Sequence, residues 1–403
     1  RECTATNVLA VLPAVVYVDE KGGNRFPYAT EEDAATSFND AFAALWKSTD
    51  STGVVHVAAG EYALTAAVAL NQPVRIVGAG RDLTRVTQGE GFEGVVFTLN
   101  NTAAYLGDIA VTNFTGNERT KGLSIQKGLA ERVRVTGFKL TCASNASLPG
   151  GGVSMSGGLL LDSEIDHITA SATYVRGAGL FFDKGGTVSN CVIRNCTGSG
   201  STAHSFANGV FMDGGGLLVN SKILDNGSAT AKVTDGGVRL LSGATLRNCL
   251  VAGNLSEAGA SGVMANDGCT IENCTIAGNE KAGMTQTVQV SVTGKAVVRN
   301  TAIWSTVDGL ADLTAASETT VSHCRYKEAT EDANGNTAAD PLFRSPAKKD
   351  FRLRGGSPLR NAGERQGWMD GATDLIGNPR ILYGEVAIGC YTCRPRGLQV
   401  LVR

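Results

Sequence analysis

The sequence predicts an all-β protein that folds as a right-handed parallel β-helix, a solenoid of about ten coils. The first observation is a six-residue pattern with Asn at its third position, which recurs at steps of roughly 23 to 35 residues. It occurs in Val188–Ile193, Leu246–Val251, Ile271–Ile276 and Val298–Ile303. The second observation is composition, because glycine accounts for 51 of 403 residues and proline for only 9. This composition is typical of many tight turns between short strands, not of disorder or collagen.

A second segment precedes the first in each repeat and consists of a glycine followed by alternating residues. Examples are Gly179–Phe182, Gly209–Met212 and Gly237–Leu240. Alternation with a period of two indicates a strand, and glycine between strands indicates a bend in the backbone. A β-sandwich is less favoured, because its strands would not recur as one sequence unit.

Equivalent positions of successive coils stack about 4.8 Å apart in such a solenoid. We therefore expect a ladder of asparagines at a turn, in the left-handed backbone conformation that Asn tolerates. Its members are Asn190, Asn220, Asn248, Asn273 and Asn300. The next residue of each repeat forms an inward-pointing column of Cys191, Ser221, Cys249, Cys274, Thr301 and Cys324.

The cysteines of this column are expected to be free, buried thiols. A disulfide between Cys249 and Cys274 is the alternative, although disulfide torsions fit stacked parallel strands poorly. Cys390 and Cys393 form a single Cys-x-x-Cys pair near the C-terminus, which we interpret as capping structure. The sequence leaves the disulfide status of Cys3, Cys390 and Cys393 open.

Three regions are predicted along the chain. Residues 1–50 hold an N-terminal strand segment and a capping helix, residues 51–338 the parallel β-helix, and residues 339–403 a C-terminal closing module. The helix is predicted from a start signal at Thr30–Asp33. One apolar face follows, with Ala34, Phe38, Ala41, Phe42, Leu45 and Trp46. Such a helix would cover the open apolar end of the solenoid.

The charge balance argues against a nucleic-acid partner. Lys and Arg number 36 and Asp and Glu 38, a net charge of −2, whereas nucleic-acid binding depends on basic contacts to phosphate. No transmembrane segment is predicted, because the longest apolar run, Val8 to Val18, is too short to span a bilayer and contains Pro13. Polar residues directly follow Arg1 and Glu2, so we expect a mature chain or an excised segment without a signal peptide.

The N-terminal region combines several short motifs. Tyr17–Asp19 and Pro27–Thr30 precede the predicted helix, and the helix is followed by Val55–Tyr62, with the pattern Val-x-Val-x-x-Gly-x-Tyr, and by Gly78–Gly80. In this arrangement the chain resembles the start of bacterial pectate-lyase-like β-helix proteins. The resemblance implies the same fold.

The C-terminal region carries a more specific set of motifs. They are Asp340–Phe343, Asp350–Leu353, Gly356–Pro358, Asn361–Gly363, Asp374–Arg380 and Ala387–Tyr391. This set is similar to the closing module of secreted "choice-of-anchor Q" β-helix proteins, and together the resemblances cover about Val16 to Tyr391. They imply a secreted or cell-surface location. They do not imply an activity, because a fold does not determine function.

One outer face of the solenoid is the best candidate site. Alternation along the glycine-led strands points five side chains outward in neighbouring coils, those of Phe181, Asp183, Phe211, Asp213 and Arg239. The two rings would form a flat, accessible glycan-binding surface, beside which Arg239 could bind a uronate carboxylate through two hydrogen bonds. Asp183 and Asp213 could bind Ca²⁺ or share a proton as an acid/base pair. The alternative is an ordinary solvent-exposed face, on which an aspartate follows each strand.

The histidines offer few further candidates. Asp166 and His167 are neighbours in sequence, but adjacent strand residues point to opposite faces, so they are not expected to act as a pair. None of His56, His167, His204 and His323 lies in the Gly-His-Gly context that polygalacturonase-type enzymes need. We interpret His204 and His323 as structural or solvated.

These observations favour an extracellular, cell-surface protein with a structural or adhesive role that contacts a glycan or another surface component. The alternative is a polysaccharide lyase or glycoside hydrolase acting on an acidic polysaccharide, with Asp183, Asp213 and Arg239 as catalytic candidates. Apolar, strand-prone segments lie at both ends, which are Val8–Leu12, Ala14–Val18 and Leu398–Val402. They are expected to fold back as edge strands or to join neighbouring molecules head to tail into a fibre.

Overall fold

The computed structural model describes residues 12–47, 51–89, 91–113, 120–142, 147–200, 206–228, 233–280, 288–307, 309–330 and 332–393. Within these ranges the chain winds into a parallel β-solenoid of about nine turns. Each coil passes through three parallel sheets in the same order. The predicted all-β solenoid is confirmed.

The strands of each sheet follow one another along the solenoid axis. Sheet 1 has 12 strands: Val15–Val18, Gly53–Val57, Val74–Gly78, Tyr105–Gly107, Leu129–Glu131, Leu159–Leu161, Thr187–Ser189, Leu217–Val219, Thr245–Arg247, Thr270–Glu272, Val297–Arg299 and Thr320–Ser322. Sheet 2 has 10: Gly60–Leu64, Thr84–Gln88, Ala110–Thr112, Arg134–Thr136, Glu164–Asp166, Val192–Arg194, Lys222–Leu224, Leu250–Ala252, Thr275–Ala277 and Ala302–Trp304. Sheet 3 has 10: Val68–Leu70, Gly94–Leu99, Thr120–Ile125, Val153–Met155, Leu180–Phe182, Val210–Met212, Val238–Leu240, Ala260–Ala265, Val288–Val292 and Ala311–Ala315.

Several smaller elements lie outside the three large sheets. Lys139–Thr141, Thr169–Ala172 and Thr197–Gly200 form a three-stranded sheet, and Ser147–Pro149 pairs with Tyr174–Arg176. Two antiparallel pairs lie near the C-terminus, Phe343–Ser345 with Asp350–Leu353 and Ile381–Leu382 with Glu385–Val386. Three short 3₁₀ helices occur at Pro346–Lys348, Pro358–Asn361 and Gly367–Met369.

Most strands are only three residues long, and their central side chain points into the solenoid. In sheet 2 the stacked central residues Ile193, Ile223, Val251, Ile276 and Ile303 are all fully buried. The flanking residues of these strands point outward. The outer face of each sheet therefore presents two columns of side chains, spaced by the strand separation.

The predicted turn ladder of asparagines is confirmed. Asn190, Asn220, Asn248, Asn273 and Asn300 have left-handed φ angles between 50° and 55°. Such a backbone is strained for most residues but tolerated by Asn, whose amide can hydrogen-bond locally. His323 continues the ladder with a φ of 49°. Its place in the turn is therefore structural, because histidine also tolerates a left-handed backbone.

A second, unpredicted asparagine ladder lies inside the solenoid, where Asn226, Asn254 and Asn279 are fully buried. The side-chain nitrogen of Asn226 donates to Oδ1 of Asn254 at 2.9 Å, and that of Asn254 donates to Oδ1 of Asn279 at 2.8 Å. Asn279 in turn donates to the side-chain oxygen of Gln289 at 3.0 Å. These amides satisfy one another across successive coils, which is how polar groups remain stable in a core.

The cysteine column is buried, as predicted. The four cysteines of this column are free, including Cys249 and Cys274 in neighbouring coils. Burial raises the pKa of the Cys191 and Cys324 thiols to about 12. These thiols therefore stay protonated and act as small apolar side chains.

The N-terminal helix starts later than predicted. It spans Phe38–Ala44, and its N-cap is Ser37, not a residue of Thr30–Asp33. The earlier signal makes only a local turn, in which the Asp33 amide donates to Oγ1 of Thr30 at 3.2 Å. The helix packs Phe38 against the core, but its role as a cap stays a prediction. No helix within the described ranges is long and apolar enough to cross a membrane.

The C-terminal segment folds back onto sheet 2. Phe343, Phe351 and Ile388 form one apolar cluster with Leu250 and Ala277 of the solenoid. The predicted domain boundaries remain predictions. The terminal segment Leu398–Val402, nearly all of Val8–Leu12, and also Cys3 and His204, lie outside the described residues.

Candidate functional site

The outer face of sheet 2 has two different halves. Toward its C-terminal end Leu250, Ala252, Ala277 and Ala302 point outward but are buried, because the C-terminal segment covers them. Toward its N-terminal end most outward positions carry charged or hydroxyl side chains, among them Glu61, Arg85, Thr112, Arg134, Thr136, Glu164, Asp166 and Arg194. We call this second half the charged groove.

The centre of the charged groove is a depression of about 250 Å³. Three arginine residues line it, Arg81, Arg85 and Arg134, together with Thr112. The one carboxylate in its lining is that of Asp82. We call it the arginine depression, and its charge favours an anion.

The guanidinium groups of the arginine depression retain donors for a ligand. Arg81 donates to the backbone oxygen of Asp162 at 3.4 Å and makes no ion pair with the residues that the structure describes. Arg85 pairs at 3.1 Å with Glu61, and both side chains are exposed, so the pair is weak. Arg134 donates from Nε and Nη2 to the carboxylate of Asp166. Its Nη1 makes no hydrogen bond with the described residues and can donate to a ligand.

Thr112 provides a second, independent sign of a ligand. Its residue is only 6% exposed, yet its Oγ1 has no hydrogen-bond partner within the described structure. A buried hydroxyl without a partner costs about 1–3 kcal/mol. An oxygen-rich ligand in the arginine depression would satisfy this hydroxyl.

Asp166 anchors the wall of the arginine depression. Its side chain is fully buried and accepts hydrogen bonds from Nη2 of Arg134 at 2.8 Å and from Nδ1 of His167 at 3.0 Å. Burial opposes ionisation of this carboxyl, but the hydrogen bonds from Arg134, Thr136 and His167 outweigh burial and lower its pKa. Asp166 is therefore an anion that fixes the orientation of Arg134.

His167 is oriented by the same carboxylate. The left-handed φ of 53° at His167 ends the strand and turns the ring back toward Asp166. The prediction that the two side chains lie apart is therefore wrong, because the strict alternation of a strand stops at this residue. The ring is 63% exposed. Its Nε2 makes no hydrogen bond with the described part of the chain.

A second depression of about 650 Å³ adjoins the first and shares Arg81 with it. Here the charges are compensated within the protein. Arg132 binds Asp108 through two hydrogen bonds of 2.7 and 2.8 Å, and Arg194 donates to Glu164 at 2.6 Å. This part of the charged groove offers a largely paired polar wall, in which Nε of Arg194 is a buried donor without a partner in the described structure.

The aromatic site predicted on sheet 3 is not accessible. Phe181 and Phe211 do stack in neighbouring coils, with ring centroids 5.8 Å apart. However, they are only 5% and 2% exposed, because Phe206 and Ala207 pack over them. The prediction of flat, accessible rings is wrong: the side chains point outward from the coil, but an inserted loop covers that face.

The polar candidates on that face are also engaged. Arg239 binds Asp235 at 2.6 Å and lies over the ring of Phe206 at 3.8 Å, with 16% of its side chain exposed. Burial raises the pKa of Asp235, and the charge of Arg239 opposes that shift. Asp213 accepts a hydrogen bond from Arg176 at 3.4 Å, and Asp183 is exposed in the next coil. Among the described residues no cluster of three His, Cys, Asp or Glu side chains could hold a metal ion.

The sequence contained a signal for the charged groove. Glu61, Arg85, Arg134, Glu164 and Arg194 occupy strand positions that are apolar or small in later coils. The change along these two columns marks where the C-terminal segment stops covering the sheet. What the repeat pattern does not reveal is which outward columns are covered, because that depends on distant segments.

Comparison with known proteins agrees with this architecture. A family model described as "Right handed beta helix region" matches residues 137–284 and 208–336. The chain has a right-handed β-helix fold. No curated protein sequence matches this β-helix at a significant level.

Solved structures also resemble this β-helix. The crystal structure of pectate lyase Pel9A is 16% identical, with 94% of this chain and 96% of that chain covered and a TM-score of 0.54. A tailspike protein of Acinetobacter baumannii bacteriophage Fri1, a capsular polysaccharide depolymerase, is 15% identical over 68% of this chain and 52% of that chain, with a TM-score of 0.42. The Dettilon tailspike protein is 11% identical over 76% and 68%, with a TM-score of 0.45. The likeness to the pectate lyase supports a pectate-lyase-like fold.

Proposed function

We propose that this β-helix binds an anionic polysaccharide along the charged groove, in an adhesive role outside the cell. The acidic group of one sugar residue occupies the arginine depression. The observation that carries the proposal is the set of guanidinium donors at Arg81, Arg85 and Arg134 around the unpartnered, buried hydroxyl of Thr112. Guanidinium groups bind carboxylates and other oxyanions through charge-assisted hydrogen bonds.

The shape of the site favours a polymer over a small anion. The arginine depression and the adjoining depression share Arg81 and form one groove across several coils. The groove runs along the solenoid axis, where polar side chains repeat at the strand spacing of about 4.8 Å. An extended sugar chain can meet such a repeating surface with several residues at once.

Removing one guanidinium from the depression should weaken binding of an acidic oligosaccharide. We expect Arg81→Gln and Arg85→Gln each to lower the affinity for a hexagalacturonate about tenfold or more, because a hydrogen bond to a charged group contributes about 1.5–3 kcal/mol. Isothermal titration calorimetry would measure the loss. Both variants should keep the melting temperature, since these side chains are exposed.

Arg365→Gln is the matched control, because it removes the same charge from an exposed ion pair in the C-terminal segment. Its affinity should equal that of the unaltered protein. Binding should also weaken as salt is added. Equal losses of affinity in all three variants would show that only net charge matters. Unchanged affinity in Arg81→Gln and Arg85→Gln would exclude the arginine depression as the binding site.

A second candidate function, cleavage of a uronate polymer by β-elimination, is favoured by the Asp166–His167 pair. Asp166 holds the Nδ1–H tautomer of His167, which leaves Nε2 as a base next to the groove. In such a reaction Nε2 takes the proton from C5 of a uronate, a double bond forms between C4 and C5, and the bond from C4 to the glycosidic oxygen breaks. The leaving oxygen takes a proton from water, and Arg134 balances charge on the uronate carboxylate.

Replacing His167 with glutamine separates binding from cleavage. If the chain is a lyase, absorbance of unsaturated uronate should appear with the unaltered protein and fall at least about a hundredfold in His167→Gln, the usual range for loss of a general base. The affinity for hexagalacturonate should stay within about twofold, because the exposed ring is not among the donors of the arginine depression. Absence of unsaturated product from both proteins would leave the adhesive role and exclude this activity.

A further inference from the structure

We propose that a separate pocket at the N-terminal end of the groove binds one uncharged sugar residue by stacking on His56. This pocket has a volume of about 460 Å³ and is lined by Tyr17, Asp19, Glu31, His56, Val77 and Gly78 among others. We call it the Tyr17–His56 pocket. The inference rests on the proposed function only in taking the ligand to be a glycan.

The pocket contains a ready aromatic platform. Tyr17 and His56 lie side by side on the first two strands of sheet 1, paired in register. Their ring centroids are 5.4 Å apart and the rings are inclined by 24°. Tyr17 thus supports one face of the imidazole, and His56 is exposed. An exposed aromatic ring offers a face on which the C–H groups of a sugar ring can pack.

On the other side of His56 the side chains become smaller in the next coils, which leaves room for the Tyr17–His56 pocket. Val77 follows His56 in register, and Gly107 follows Val77. A Cβ at Gly78 would lie 2.3 Å from the backbone oxygen of Asp108, and one at Gly107 would lie 2.2 Å from the hydroxyl of Tyr105. The backbone of Asp108 therefore requires glycine at Gly78, and the side chain of Tyr105 fills the place of a Cβ at Gly107.

The polar groups of the pocket disfavour an acidic sugar and can accept hydrogen bonds from hydroxyl groups. Asp19 uses Oδ1 to accept the backbone N–H of Lys21 at 2.9 Å, and its Oδ2 has no partner within the described residues. Glu31 is exposed and its carboxylate also has no partner there. Carboxylate oxygens accept hydrogen bonds from sugar hydroxyls but repel a uronate carboxylate. The pocket therefore complements the arginine depression, which favours an acidic sugar.

The two sites are close along the chain. Ala79 lines the Tyr17–His56 pocket, and Arg81, two residues later in the same loop, lines both depressions of the charged groove. One glycan chain that carries both acidic and neutral residues can therefore follow the groove from one site to the other. A mixed polymer is the ligand that uses both.

Imidazole NMR spectra can report on the two sites separately, since the chain has only 4 histidines. A neutral galactan hexasaccharide should shift the signals of His56 and leave those of His167 unchanged. A hexagalacturonate should shift His167, beside the arginine depression, and leave His56 unchanged. A shift of His167 by hexagalacturonate, with no shift of His56 by either probe, would overturn the pocket and retain the proposed function. Shifts of His56 alone would support the pocket and overturn the proposed function.

Two substitutions test the stacking. His56→Phe keeps an aromatic face, so its affinity for the neutral hexasaccharide should stay within about twofold. His56→Thr keeps a strand-forming side chain but removes the ring, so affinity should fall about three- to tenfold. Equal affinity in His56→Thr and the unaltered protein, at equal melting temperature, would exclude stacking. Tighter binding of a glucosamine hexamer than of the galactan would overturn the assignment to an uncharged sugar.

Discussion

Asn254→Ala is expected to lower the free energy of unfolding by about 3 to 5 kcal/mol, because a buried group left without a partner costs about 1–3 kcal/mol. Oδ1 of Asn254 accepts the backbone N–H of Asn226 at 3.0 Å and its side-chain nitrogen at 2.9 Å. Nδ2 of Asn254 donates to the backbone oxygen of Ile223 at 3.0 Å. Alanine removes all of these bonds and leaves a cavity in the core. Urea denaturation followed by circular dichroism would measure the change.

Asn195→Gly is the matched control for this prediction. Asn195 is an exposed asparagine in the turn next to the buried ladder, with a φ of 53°. Glycine adopts this backbone without strain, so the cost should stay below about 1 kcal/mol. Similar losses in Asn195→Gly and Asn254→Ala would show that the buried ladder adds no stability beyond that of an ordinary turn asparagine.

Asp312→Asn is expected to cost about 3 to 5 kcal/mol, the range for breaking a buried ion pair by removing one partner. Asp312 and Arg325 lie 2.7 Å apart, with only 1% and 7% of their side chains exposed. Arg365 and Asp370 lie at the same distance but are 62% and 58% exposed. Asp370→Asn should therefore cost less than about 1 kcal/mol. Equal costs at the two pairs would contradict the role assigned to burial.

The same ion pair should show a pH dependence when its other partner is removed. Burial raises the pKa of Asp312, and Arg325 opposes that shift. In Arg325→Met the pKa of Asp312 should therefore rise further. Because the folded protein then binds a proton more tightly than the unfolded chain, stability is full below the unfolded pKa of about 4 and falls as pH rises through the folded pKa. Asp312→Asn should lack this dependence, because it has no carboxyl to titrate.

The solenoid could be predicted because the same sequence pattern recurs in successive coils. The turn asparagines, the inward cysteine column and the glycine-led strands each depend on residues within one or two coils. The buried ladder was missed, although Asn226, Asn254 and Asn279 recur at the same step as the turn asparagines. The pattern shows that these residues stack but does not show that they stack inside.

The candidate site was harder to predict, because it depends on which outer columns stay uncovered. Strand alternation correctly pointed Phe181 and Phe211 outward, but a loop carrying Phe206 buries them. Conversely, the column containing Arg85 and Arg134 stays open, because the C-terminal segment packs on a later part of the same sheet. Coverage by distant segments is a tertiary property that a local repeat does not encode.

A crystal structure with bound trigalacturonate tests the central claim most directly. The account predicts one uronate carboxylate in the arginine depression, within hydrogen-bond distance of Arg81 or Arg85 and of Nη1 of Arg134. An oxygen of the ligand should also lie within about 3 Å of Oγ1 of Thr112, which would then gain the partner it lacks. Density for the oligosaccharide on the Phe211 face, or elsewhere on the solenoid with the arginine depression empty, would contradict the account.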